Sequence, residues 1–117
     1  MTYGNPCALF CDFISTYFEL AELKLSYILG GEKDIAYGNG MDDFNRIDHV
    51  PVIAVNFPVG HGGTYSQPHG GEFSIVAKAW LDWQLKGSLA GAKMFVGKDC
   101  DILKREGWTI EKNGKME

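Results

Sequence analysis

The stretch Pro51–Asn56, with the sequence Pro-Val-Ile-Ala-Val-Asn, constrains the fold of this chain more than any other segment. It is apolar at nearly every position and does not alternate between apolar and polar residues. A strand covered on one face alternates, whereas a central strand of a parallel sheet is covered on both faces and is apolar throughout. The sequence therefore predicts a buried strand of a parallel sheet at residues 51–56.

The segment before this strand has the pattern of a strand followed by a helix. Lys24–Leu29 is predicted to be a strand that ends at Gly30-Gly31. A short helix is predicted from Gly40 to about Asp48, with Asn39 as its N-cap. Strand, helix and strand in this order indicate a right-handed crossover. The predicted fold class is α/β, a partial parallel sheet with flanking helices.

The segment after the strand is predicted to be mainly helical. A long helix is expected over Glu72–Lys86, ended by Gly87, and Ser88 is a candidate cap for a short helix over 89–95. Six residues are expected to form the apolar stripe of the long helix, with Trp83 at its margin: Phe73, Val76, Ala77, Trp80, Leu81 and Leu85.

The two ends of the chain differ from this central part. Residues 6–23 are predicted to form a helix, within an apolar segment 1–24 whose origin the sequence does not explain. Residues 97–117 form a charged C-terminal extension, in which Trp108-Thr109-Ile110 is expected either to form a short strand or to pack on the body. The 117 residues together are the length of a single domain.

Composition excludes several classes of function. Eleven Lys and Arg against fifteen Asp and Glu give a net charge of −4, and no basic cluster suggests a nucleic-acid partner. The apolar run near the start is interrupted by Asp12 and is too short to span a membrane. Three cysteines, Cys7, Cys11 and Cys100, do not make a disulfide framework. A reduced, cytoplasmic setting is therefore expected, which leaves open an export signal upstream of Met1.

Glycine is over-represented, and it surrounds two residues with acid–base chemistry. The chain has fifteen glycines where average usage would give about eight, and they cluster at Gly30-Gly31, Gly60–Gly63 and Gly70-Gly71. Asp34 follows the first predicted strand and His61 follows the second, so both are expected at the carboxyl-end rim of the sheet. A carboxylate and the imidazole that it orients are two of the three members of a nucleophile-His-acid triad.

Other assignments of these residue types are weaker. Asp42 and Asp43 are rival acids, but they are expected in the first turn of the short helix, where acidic residues are favoured by the helix dipole. His61, His69 and Glu72 do not have a recognised metal-ligand spacing, and His49 lies far off, so no metal is predicted. The glycine-rich loop lacks a phosphate-binding pattern. Tyr65 and Gln67 are expected to be surface loop residues.

No nucleophile with the required local sequence accompanies this acid and histidine. A nucleophile elbow needs Gly-x-Ser-x-Gly or a close variant between a strand and a helix. None of the five serines lies in such a sequence: Ser15, Ser26, Ser66, Ser74 and Ser88.

Three segments have to be taken together: Ile28–Tyr37, Met41–Phe44 and Val59–Tyr65. They resemble the carboxyl-terminal part of an α/β-hydrolase, with the closest likeness to bacterial esterase-like members of the dienelactone-hydrolase type. Gly70–Phe73 and Trp80–Gly87 resemble the closing helix of the same group, so the likeness covers residues 25–112. It implies that Asp34 is the triad acid and His61 the triad base. No cofactor is implied.

The resemblance implies a truncated or partial hydrolase for carboxylic esters or similar acyl compounds. The nucleophile and oxyanion hole belong to the first half of the family's fold, so the chain alone is expected to be inactive or nearly so. Its partner would be a small ester or acyl substrate. The alternative is a non-enzymatic module derived from a hydrolase, which associates as a homo-oligomer through an open strand edge or binds a small ligand on the same rim.

Overall fold

The computed structural model describes residues 24–116. It contains three strands, β1 (Leu25–Leu29), β2 (Val52–Asn56) and β3 (Thr109–Lys112). It also contains three α-helices, α1 (Tyr37–Arg46), α2 (Gly71–Lys86) and α3 (Leu89–Lys93), and two short 3-10 segments at Pro68–Gly70 and Asp101–Lys104. The helix expected at 6–23, together with Cys7 and Cys11, lies outside the described residues.

The strands form one mixed sheet in the order β1-β2-β3. β1 and β2 are parallel, in a register that runs from Leu25 opposite Val52 to Leu29 opposite Asn56. β3 is antiparallel to β2, with Thr109 opposite Asn56. The fold is thus a small mixed α/β fold, in which the parallel pair agrees with the sequence prediction. A short strand near residues 108–110 was one of the two expectations, but its antiparallel pairing with β2 was not expected.

β2 is buried on both faces, as its apolar sequence predicted. Ile53 and Val55 belong to a core cluster on one face, and Val52 and Ala54 belong to a second cluster on the other. The first cluster contains side chains from α2 and from the C-terminal segment, while the second contains Leu29 and Phe44 of β1 and α1. Both clusters remove apolar surface from water, which makes β2 the centre of the fold.

Helix α1 begins at Tyr37, three residues before the predicted start at Gly40. Asn39 is therefore not the N-cap. Ala36 has that position, and its side chain makes no capping hydrogen bond. The reason is the preceding turn: the Asp34 carboxylate accepts the Ala36 N–H, and the Asp34 carbonyl accepts the Tyr37 N–H. Asp34 thus satisfies donors at the helix start that a cap would otherwise satisfy.

Helix α2 ends at Gly87 in the left-handed conformation, as predicted, and Ser88 caps α3 by accepting the Gly91 N–H at 3.0 Å. The apolar stripe is rotated relative to the prediction. Leu81 and Leu85 are 52% and 77% exposed, so their expected burial was wrong. Because α3 packs beside Ala79 and Trp83, the face of α2 that packs on the core is instead formed by the buried Phe73 and Val76 together with three partly buried residues: Ala79, Trp80 and Trp83.

The C-terminal segment packs on the body of the protein. Cys100, Ile102 and Trp108 are buried in the same cluster as β2 and α2. Trp108 stacks on Phe57 with ring centroids 4.8 Å apart, and the strand β3 follows it directly. Both behaviours considered for residues 108–110, strand formation and packing, therefore occur together.

Glu72, in the first turn of α2, joins that helix to the C-terminal segment. Its carboxylate accepts two hydrogen bonds from the Arg105 guanidinium, at 2.8 and 2.7 Å, and one from Trp108 Nε1 at 2.9 Å. The bonds from Arg105, followed by that from Trp108, hold the pKa of Glu72 below its usual value of 4.5, although burial opposes them. Such bidentate pairs are stronger and more directional than single ion pairs.

The free energy of unfolding is expected to depend on pH through the hydrogen bonds that Glu72 accepts from Arg105 and Trp108. Because the pKa of Glu72 is lower in the folded chain, its contribution to stability is complete above pH 4.5 and is lost as the pH falls through the folded value. Glu72→Gln should therefore reduce the free energy of unfolding at neutral pH and reduce its decline in acid. Urea denaturation at several pH values measures both. The control is Glu106→Gln at an exposed neighbouring position, and identical behaviour of the two variants would contradict the assignment.

Candidate functional site

The candidate site lies where β1 and β2 end. Leu29 and Asn56 are opposite each other in the parallel register, so the loops that follow them start side by side. The first loop carries Asp34 and is called here the acid loop (residues 30–36). The second carries His61 and is called the histidine loop (residues 57–67). The carboxyl ends of parallel strands are where α/β proteins bind ligands.

The two loops are in direct backbone contact. The Gly60 N–H donates to the Gly30 carbonyl at 2.7 Å. A Cβ atom on Gly30 would lie 2.0 Å from the Gly60 carbonyl oxygen, so no other residue fits there without moving a loop. Gly60 itself has a φ of 91°, a conformation that favours glycine. These glycines explain how the loops approach closely enough for their side chains to meet.

Asp34 and His61 form a hydrogen-bonded pair. Asp34 Oδ1 lies 2.7 Å from His61 Nδ1 and also accepts the Ala36 N–H at 2.8 Å, while Oδ2 accepts the Gly30 N–H at 3.0 Å. Asp34 as a whole residue is only 7% exposed. The bond from the Ala36 N–H, with those from Gly30 and His61, holds the pKa of Asp34 below its ordinary value, against the effect of burial.

The pairing fixes the chemistry of the imidazole. An ionised carboxylate only accepts hydrogen bonds, so Nδ1 of His61 is the donor and the neutral ring carries its basic lone pair on Nε2. The His61 side chain is 63% exposed, whereas that of Asp34 is 6% exposed. An inner carboxylate thus orients an accessible base, the arrangement that general acid–base catalysis requires.

Thr64 anchors the histidine loop to helix α2. Its hydroxyl donates to the Gly70 carbonyl at 2.7 Å and accepts the Phe73 N–H at 2.9 Å, and the residue is 2% exposed. Sequence analysis did not single out this residue. A threonine three positions after the histidine, shortly before a long helix, was the available signal, because Ser and Thr hydroxyls commonly bind backbone groups near helix starts.

Asn56 anchors the acid loop in a similar way and was also missed. Its Oδ1 accepts the Gly31 N–H at 2.8 Å. The signal in the sequence was a single polar residue at the end of an otherwise apolar strand.

A pocket of about 660 Å³ adjoins the pair. It is lined by residues of both loops, by the last residue of β2 and by the first residue of α1: Gly30, Gly31, Glu32, Lys33, Tyr37, Asn56, Pro58, Val59 and Gly60. Asp34 and His61 do not line the pocket themselves, whereas their sequence neighbours Lys33 and Gly60 do. Its size is within the range of small-molecule sites. Tyr65 and Gln67 are exposed loop residues, as expected.

The rival acids do not reach His61. Asp42 and Asp43 lie in the middle of α1, because that helix begins at Tyr37, so their expected placement in its first turn was wrong. Both are exposed, and Asp43 Oδ2 accepts a hydrogen bond from the Tyr27 hydroxyl at 3.3 Å. This interaction, after burial as the larger cause, raises the pKa of Tyr27.

The residues considered as metal ligands are used differently. Glu72 is engaged by Arg105 and Trp108, while His49 and His69 are exposed. Within residues 24–116, no three His, Cys, Asp or Glu side chains are grouped closely enough to hold a metal ion. Cys100 is a buried free thiol.

The described residues do not identify the nucleophile of a triad. Among residues 24–116, the side chain of His61 is hydrogen-bonded to Asp34 and to no hydroxyl or thiol. Ser26 lies in β1, Ser74 in α2, and Ser88 at the start of α3. Ser66 is an exposed residue of the histidine loop. Ser15 falls outside the described residues.

Comparison with models of known protein families gives no match to this chain. Comparison with curated proteins gives no significant match either. In the described residues, 24–116, the longest helix has sixteen residues, and no helix has the combination of length and apolar character needed to cross a membrane.

Proposed function

We propose that this chain carries the acid and the histidine of a Ser/Cys-His-Asp triad that hydrolyses carboxylic esters or related acyl compounds. The 2.7 Å contact between Asp34 Oδ1 and His61 Nδ1 carries the proposal, because it joins a buried carboxylate to an exposed imidazole. The likeness of both loops to those of α/β-hydrolases supports the same assignment. The nucleophile is supplied from outside residues 24–116.

Each residue has a defined part in this chemistry. His61 Nε2 takes the proton of the attacking hydroxyl or thiol and later gives a proton to the leaving group. Asp34 keeps the proton on Nδ1 and stabilises the imidazolium that forms. The reaction passes through an acyl-enzyme, which water then hydrolyses. Val59 lines the neighbouring pocket and Ile35 is exposed beside Asp34, so apolar surface is available to a short acyl chain.

An activated ester tests the pair without requiring the nucleophile, because a free imidazole can attack such an ester directly. We expect a slow hydrolysis of p-nitrophenyl acetate by the chain. His61→Ala should remove most of this rate, because the imidazole that Asp34 orients is expected to react faster than the two other exposed histidines. Asp34→Asn should reduce it as well, because the amide does not enforce the same tautomer.

Two exposed histidines provide matched controls for this assay. His49→Gln and His69→Gln should leave most of the rate unchanged, since neither residue contacts a carboxylate in the described structure. Hydrolysis that is equally fast in His61→Ala would contradict the role of His61.

The alternative, a module that serves association and not catalysis, is favoured by one observation. Several large apolar side chains are more than half exposed: Ile35, Leu81, Leu85, Leu89 and Leu103. Within residues 24–116, β1 also pairs on one edge only, with β2. Exposed strand edges and apolar side chains are typical of interaction surfaces. The ester assay separates the two functions, because association alone does not make hydrolysis depend on His61.

A further inference from the structure

Asn56 is the one polar residue of β2, and it stands where the candidate site begins. The four residues before it are buried and apolar, whereas Asn56 is half-buried at the carboxyl end of the strand. Asparagine is depleted in strands, and a buried polar side chain costs free energy unless it is hydrogen-bonded. A polar residue at this position therefore calls for a specific interaction.

The interaction is with the backbone of the acid loop. Regular pairing of β1 with β2 ends at Leu29 opposite Asn56, and the Phe57 N–H donates to the Leu29 carbonyl at 3.0 Å. Beyond that point the Asn56 side chain takes over, and its Oδ1 accepts the Gly31 N–H at 2.8 Å. A side-chain carbonyl thus continues the contact between the two chain segments after the strands have ended.

Gly31 is the residue from which the turn of Asp34 starts. The Asp34 N–H donates to the Gly31 carbonyl at 2.9 Å, and the neighbouring Gly30 N–H donates to Asp34 Oδ2 at 3.0 Å. Holding Gly31 therefore holds both the backbone and the carboxylate of Asp34. Asn56 is also joined covalently to Phe57, the first residue of the histidine loop. One residue therefore links the acid loop, through a hydrogen bond, to the histidine loop, through the chain itself.

We infer that Asn56 is a positioning residue for the Asp34–His61 pair: it fixes the acid loop against the histidine loop by accepting the Gly31 N–H. This inference rests on the proposed function, since it assigns Asn56 a part in keeping the imidazole oriented. It adds a residue that touches neither the imidazole nor the carboxylate and acts through the backbone of Gly31. Positioning groups of this kind hold catalytic side chains within the narrow tolerance that catalysis needs.

The protonation site of His61 gives a readout that a merely structural role would not change. In ¹⁵N-labelled protein at about pH 9, where imidazole is neutral, long-range ¹H–¹⁵N correlation distinguishes a proton on Nδ1 from one on Nε2. The resonances of His61 are assigned by their loss in His61→Gln, since the chain has three histidines. The wild type should show the proton on Nδ1.

Asn56→Ala removes the acceptor and should cause loss of the single Nδ1–H form, with a mixture of tautomers in its place. Asn56→Asp keeps an oxygen acceptor and should retain the wild-type form. Asn45→Ala, at an exposed position on α1, is the matched control and should also retain it. If Asn56→Ala does not fold, Asn56→Ser carries the test, because its shorter hydroxyl does not reach the position of Oδ1.

The outcomes separate the inference from the proposed function. A wild type whose His61 carries the proton on Nε2 contradicts the pair itself, and with it the proposed function. A wild type with the proton on Nδ1, together with Asn56→Ala or Asn56→Ser spectra identical to it, overturns only the role of Asn56. Loss of the Nδ1–H form in the folded alanine or serine variant, with retention in Asn56→Asp and Asn45→Ala, supports the inference.

Discussion

Gly30→Ala is expected to lower the free energy of unfolding by about 3 kcal/mol or more, beyond the 1–3 kcal/mol typical of overpacking by a side chain. The added Cβ would lie 2.0 Å from the Gly60 carbonyl oxygen and 2.7 Å from the carbonyl carbon. Both are backbone atoms, so no side-chain rotation relieves the clash. The acid and histidine loops would have to separate, and Asp34 would lose its contact with His61. Urea denaturation measures the stability.

Gly38→Ala is the matched control for this prediction. Gly38 lies in α1, and a Cβ there would meet no atom within 4 Å. Alanine is favoured over glycine in helices, so a gain of about 0.5–1 kcal/mol is expected. Equal effects of the two substitutions would show that the loops are not in close contact at Gly30.

Trp108→Ala is expected to cost about 3–5 kcal/mol, the range for removing a large buried aromatic side chain. Trp108 is 6% exposed, stacks on Phe57 and packs against Phe73 with ring centroids 5.7 Å apart. Phe57 begins the histidine loop, so removing the ring that stacks on it should also weaken the position of this loop and of His61. Stability by urea denaturation and the p-nitrophenyl acetate rate should therefore fall together.

Trp108→Phe separates the stacking from the hydrogen bond. Phenylalanine keeps an aromatic ring against Phe57 but removes the Nε1–H that donates to Glu72. We expect the missing hydrogen bond to lower the free energy of unfolding by about 1 kcal/mol. The loss from packing should be smaller than in Trp108→Ala. The surface control is Leu103→Ala, at an exposed residue of the same segment, with an effect within about 0.5 kcal/mol. If Trp108→Ala were as mild as this control, residues 101–112 would not be part of the core.

The sequence was most informative where one local pattern decides the structure. The apolar run of β2 predicted a strand covered on both faces, and the core clusters on its two sides confirm this. Placing Asp34 and His61 after neighbouring parallel strands predicted that they share a rim, and their side chains are hydrogen-bonded there. In both cases the structure follows from the geometry of two parallel strands. That geometry can be predicted from the apolar pattern of the strands and from the order of the elements along the chain.

The features that were missed depend on contacts between distant residues. The Asn56 bond to Gly31 joins residues 25 positions apart, and the Glu72 bond to Trp108 joins residues 36 positions apart. The antiparallel direction of β3 depends on the path that the chain takes from α3 back to β2. The exposure of Leu81 and Leu85 depends on which side of α2 packs against α3. The early start of α1 is the exception, because it depends on local bonds that Asp34 accepts from the Ala36 and Tyr37 N–H groups. No local periodicity encodes these choices.

The central claim is that Asp34 holds the imidazole of His61 with its proton on Nδ1 and its base on Nε2. The most direct measurement is the long-range ¹H–¹⁵N spectrum of His61 in the wild-type chain at about pH 9, above the usual range in which histidine side chains titrate. The structure predicts a protonated Nδ1, hydrogen-bonded to the carboxylate, and an unprotonated Nε2. A proton on Nε2, or a freely exchanging mixture of the two tautomers, would contradict the account.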